Sequence, residues 1–198
     1  MSNETITPTL IMAVPWDQER ARRAVHNAKE VGNAIVVWDE KHSIQDTFLR
    51  ALRTAGEEGT IFMQDDVFLH PQWRQHVEEA ITNHSGDVIQ FFSIRKSDLG
   101  NTSRYELGRN YLMNQCFYLP PGVAKDLHAY AQTWFEANPG HTGDDTCVSD
   151  YLRFRKMKYW HHVPSLVQHE PWTSVTGKGR STRRQSPTFD PTLPANES

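Results

Sequence analysis

Thr60-Ile61-Phe62-Met63-Gln64-Asp65-Asp66-Val67-Phe68 is the stretch on which the fold turns. A strand-compatible, mostly apolar run leads straight into two adjacent carboxylates. Adjacent like charges repel, and each needs water, a cationic side chain or a metal ion. In an open α/β sheet the carboxyl ends of the strands border the ligand crevice, so an acid pair there points to a site. Taken alone, the pair also reads as an acidic turn after a strand.

The chain before it supplies the context. Thr9 to Val14 is a continuous apolar run stopped by Pro15. Asp17 is placed to cap a helix over Gln18 to Val31, closed by Gly32. Ala34 to Trp38 reads as a second buried strand, ending at Asp39-Glu40. Ser43 caps a second helix to Ala55, with Ile44, Phe48, Leu49 and Leu52 on one face. Strand, helix, strand, helix, strand predicts a mostly parallel, Rossmann-like central sheet flanked by helices in one α/β domain. Asp39, Asp65 and Asp66 then gather along one edge.

Further on, Pro71 opens a third helix to about Thr82, and Asp87 to Phe92 is a fourth strand. Ser93 to Arg109 is polar and aperiodic, which predicts a long functional loop. Asn114 to Leu119 is a fifth strand, followed by helices over about Val123 to Phe135 and from Asp144-Asp145. Val163 to His169 is a strand-like run ending in a histidine. Next comes Thr176-Gly177-Lys178-Gly179-Arg180-Ser181, whose small residues and cations suit phosphate oxygens. A solvated basic tail is the simpler reading of the same residues. The expected organisation is a flexible N-terminus over 1–8, the domain over 9–185 and a flexible tail over 186–198.

Composition narrows the class. The 198 residues carry a net charge of −3, so any nucleic-acid contact needs a local basic patch. No apolar run has the length of a membrane span, the first residues lack the features of a signal peptide, and Cys116 and Cys147 read as reduced thiols. A cytoplasmic location is the expectation, in the host cytoplasm if a phage encodes the chain.

In order and spacing, these residues resemble a nucleotide-sugar-dependent glycosyltransferase of the GT-A fold, over roughly Thr9 to Phe189. The resemblance implies a nucleotide-diphosphate sugar donor and Mn2+ or Mg2+. It places Pro15, Asp39, Arg50, Asp65, Lys178 and Arg180 at the nucleotide sugar. Asp66 and His169 become the metal ligands, Gln115 and Asp144 the acceptor contacts, and Asp145 the base of an inverting reaction. The motif is Gln-Asp-Asp rather than Asp-x-Asp, which leaves open which acid holds the ion. The small phage-encoded transferases that glycosylate hydroxymethylated pyrimidines make DNA one expected acceptor. Arg95, Lys96, Arg104, Arg109, Lys178, Arg180, Arg183 and Arg184, with Tyr105, Tyr111 and Trp172, would serve it. A cell-surface glycan or protein is the competing acceptor. From other classes, a nucleotidyltransferase would need a Gly-rich basic loop after the first strand, which Val14-Pro15-Trp16-Asp17 lacks. A non-catalytic nucleic-acid-binding module would leave the carboxylates unexplained.

Overall fold

The computed structural model describes residues 6–141, 143–170 and 184–192. A seven-stranded sheet forms its middle, in the order β2 (Ala34–Trp38), β1 (Thr9–Ala13), β3 (Thr60–Gln64), β7 (Cys116–Leu119), β5 (Val88–Gln90), β8 (Lys158–His161), β6 (Arg104–Leu107). β1 pairs in parallel with β2 and β3, and β5 with β8. β7 is antiparallel to both β3 and β5, and β6 is antiparallel to β8. The sheet is therefore mostly parallel, with β7 and β6 reversed. The carboxyl ends of β1, β2 and β3 meet the amino end of β7 along one edge.

Both faces are covered, which explains why the strands read as unbroken apolar runs. Leu10, Met12, Phe62, Phe117 and Leu119 turn toward α2 (Ile44–Ala55), α4 (Val123–Ala137) and α5 (Asp144–Phe154). Their neighbours Ile11, Ala13, Ile61, Met63, Cys116 and Tyr118 turn toward α1 (Gln18–Val31) and α3 (Trp73–Asn83). Ile61, Phe62 and Met63 have no solvent exposure. Burying each stabilises the fold by roughly 1.5–3 kcal/mol. Gly32 (φ 60°) and Gly56 (φ 63°) end α1 and α2 in the left-handed region, where a side chain would be strained.

Several local expectations change. Pro71 lies ahead of the third helix, which starts at Trp73. The polar stretch after β5 is no open loop, because it contributes edge strand β6 and two short 3-10 turns. What holds that stretch is Asp98. Its Oδ1 accepts from Arg104 at 2.7 Å, its Oδ2 accepts from Ser93 Oγ at 2.5 Å, and His161 Nε2 lies 2.9 Å from Oδ2. At the carboxyl side, Ser186 donates to Ser165 Oγ at 2.8 Å and Ser165 N donates to Thr188. Packing thus continues past the expected boundary at 185. At the other end, Thr7 bonds Glu78, inside the segment expected to be free.

Candidate active site

The acid pair follows β3 directly. Asp65 N donates to Met12 O at 3.1 Å, and Val14 N donates to Asp65 Oδ2 at 2.8 Å, so β1 and β3 jointly fix that carboxylate. Arg20 of α1 fills the remaining space. Its Nε donates to Asp65 Oδ1 at 2.9 Å, its Nη2 bonds the same oxygen, and Nη2 lies 3.2 Å from Asp66 Oδ2. Burial pushes Asp65 up to about 6 and the Asp66 charge adds to it, while Arg20 works the other way. Asp66 is lowered, because His169 and Arg20 together outweigh its burial.

His169 reaches the pair through a second, two-stranded sheet. β4 (Val67–Leu69) is antiparallel to β9 (Val167–His169), with Val67 opposite His169. Glu170 N donates to Asp66 O at 2.8 Å. This register sets His169 Nε2 3.4 Å from Asp66 Oδ2. Asp66 Oδ1 and His169 Nδ1 are buried without hydrogen-bond partners. Buried polar atoms left unpaired are uncommon and call for an explanation, such as a bound water or ion. One turn along α1, Arg23 pairs with buried Glu170 at 2.7 Å and covers the Phe68 ring.

The two acid pairs are linked across the β3–β7 junction. Gln64, next to Asp65, accepts from Gln115 Nε2 at 3.4 Å. The neighbouring Asn114 is buried, and its amide lies against the Asp144 carboxyl without an aligned hydrogen bond. Asp144 and Asp145 occupy the first turn of α5, where Asp145 N donates to Asp144 Oδ1 and Thr146 N to Asp145 Oδ1. Burial, with the Asp145 charge second, pushes Asp144 up to about 7. Asp145 is half-buried.

Other expected nucleotide contacts have structural duties. Asp39 Oδ1 accepts from Lys41 N and Ser43 N and shapes the turn into α2. Arg50 bonds Trp38 O, with Asp46 and Glu40 beside it, which occupies the guanidinium expected at the diphosphate. Pro15 is exposed where β1 ends. Beside it, Trp16 stacks on His42 with centroids 3.7 Å apart, and both rings stay open to solvent.

The expected DNA contacts fare unevenly. Arg95 and Arg104 are committed to Glu106 and Asp98, and Tyr111 is in the core. Tyr105 donates to Asp87. Lys96 and Arg109 are exposed. Trp172, Lys178, Arg180 and Arg183 lie outside the described residues.

Arg20 is the site residue that sequence reasoning missed. Arg20, Ala24, Asn27 and Val31 form the buried stripe of α1 at helical spacing. An arginine at a core position of that stripe predicts a buried anionic partner. Asn27 fits the same logic, donating to Val67 O at 3.0 Å.

Fold and site together define an α/β protein with a Rossmann-like, mostly parallel sheet and an acid pair plus imidazole at its carboxyl edge. No protein-family model matches the chain, and no curated protein sequence matches it. Among solved structures it is similar to "Crystal Structure of A197 from STIV", at 14% identity and TM-score 0.52, covering 85% of this chain and 87% of that one. It is also similar to a putative glucose-1-phosphate thymidylyltransferase from Bacillus anthracis in complex with a sucrose, at 11% identity and TM-score 0.49, covering 82% and 89%. Such low identities speak to the fold alone. Among the described residues, no helix is long and apolar enough to cross a membrane.

Proposed function

We propose that this protein transfers a sugar from a nucleotide-diphosphate sugar to an acceptor hydroxyl with the help of Mn2+ or Mg2+. One observation carries the reading. Asp66 and His169, distant in sequence, meet at the carboxyl edge of the sheet, each with a buried atom lacking a partner. Carboxylate and imidazole suit such an ion, and Asp66 and His169 would hold it. Among the described residues no group of three or more His, Cys, Asp or Glu gathers as ligands. Substrate phosphates would complete the shell, as is usual for magnesium-type sites. The ion, when bound, neutralises charge developing on the leaving diphosphate.

The chain's own groups supply the rest. Trp16 and His42 offer a flat face for the nucleobase. The base for the acceptor hydroxyl is reassigned within the α5 pair. Asp144 is the buried member, held near neutrality, which suits proton transfer at physiological pH, whereas Asp145 is the more solvated. With Asp144 as base, kcat/KM rises with pH through about 7, where that carboxyl loses its proton. Asp144→Asn should cost roughly a hundredfold or more and abolish this rise. Asp145→Asn should keep both rate and profile. The reverse pattern would return the role to Asp145.

The founding test is Mn2+-dependent hydrolysis of a panel of nucleotide sugars, repeated with hydroxymethylated DNA, plain DNA and oligosaccharides. Stimulation by hydroxymethylated DNA alone would identify the base as acceptor, and stimulation by oligosaccharides a glycan. Absence of both hydrolysis and nucleotide binding would sink the transferase reading.

A further inference from the structure

We propose that Arg20 is a built-in competitor for the carboxylate that takes the divalent cation. It holds Asp65 in every state, and it yields Asp66 when a cation binds there. The inference rests on the metal-assisted reading above and adds how that same site is regulated.

The division of labour follows from how each oxygen is used. Both oxygens of Asp65 are spent, Oδ1 on Arg20 Nε and Nη2, Oδ2 on Val14 N. Asp65 has little left to offer a metal. Asp66 differs. Its Oδ2 is shared between Arg20 Nη2 at 3.2 Å and His169 Nε2 at 3.4 Å, and its Oδ1 has no partner. Asp66 is therefore the acid that binds the ion, and Arg20 touches it only through the looser of its two carboxylate contacts.

Arg20 is 8% exposed, and a guanidinium does not lose its proton in a protein. A fixed positive charge thus stands beside the oxygens a dication needs. It offsets one of the two carboxylate charges while no cation is present, so folding does not require metal. The same charge repels an incoming dication and keeps its affinity low. Arg20 is then a positioning residue that sets how tightly the site holds its ion. A merely structural arginine would leave that affinity unchanged.

The test is Mn2+ binding by titration calorimetry, with melting temperatures in EDTA and in Mn2+, on wild type and Arg20→Met. Arg20→Met should melt lower in EDTA, bind Mn2+ at least about tenfold tighter, equivalent to about 1.4 kcal/mol, and recover part of its melting temperature in Mn2+. Adding Asp66→Asn to that variant should erase the gain. If both proteins bind Mn2+ equally, or the variant binds more weakly, the competitor role fails while the metal reading stands. If neither binds Mn2+ in the presence of a nucleoside diphosphate, the metal reading fails and this inference with it. Should Arg20→Met not fold, Arg20→Gln removes the charge while keeping a polar side chain at the position. It should bind Mn2+ several-fold tighter than wild type, and unchanged affinity there would overturn the proposal equally.

Discussion

Asp66→Ala should lose the proposed nucleotide-sugar turnover by about a thousandfold or more, because the charge stabilisation that a bound cation would supply is worth several kcal/mol. The fold should survive. Asp66 lies between β3 and β4 rather than in either apolar cluster, and Asp65 keeps Arg20 and Val14 N as partners without it. Asp65→Ala should behave differently. It strands the buried guanidinium with one looser partner, and breaking a buried pair this way costs about 3–5 kcal/mol. Circular dichroism melts and initial rates on both variants separate the two roles. Wild-type turnover in Asp66→Ala would remove the metal assignment.

Asp98→Ala should be strongly destabilising although it lies outside the site. The carboxylate is fully buried and satisfies Arg104, Ser93 and His161 together. Its removal leaves those groups facing a void, with a cost of about 3 kcal/mol, at the low end for a broken buried pair because Arg104 can turn to water. The pH dependence has a defined sign. Burial raises the Asp98 pKa, but the three hydrogen bonds win and bring it down to about 2, below its ordinary 3.8. A depressed carboxylate stabilises the folded state above the unfolded pKa, and that stability is lost as pH falls through the folded value. Wild type should therefore lose stability between about pH 4 and pH 2, and Asp98→Asn should show less of that slope in urea melts. Equal slopes would remove Asp98 as its source.

The fold was legible where one rule acted alone. The runs at Thr9, Ala34 and Thr60 are apolar at successive positions because both sheet faces are covered, and Asp17 and Ser43 cap as their chemistry requires. Strand direction was not legible, since Cys116–Leu119 looks the same run either way. Edge strand β6 escaped notice because its residues alternate only between half-buried and exposed. At the site, the types of Asp66 and His169 could be read, while their adjacency depends on a register between strands far apart in sequence. Arg50 and Asp39 admit two readings for a physical reason. A charged side chain at a strand end looks alike whether it awaits a ligand or ties down a turn.

The pairing of Val67 with His169 carries a consequence for biosynthesis. On the ribosome, the carboxylates emerge long before the imidazole. A nascent copy can assemble most of its sheet while the centre is still missing a wall. The contact between Asp66 and His169 forms only when the β9 segment zips onto β4.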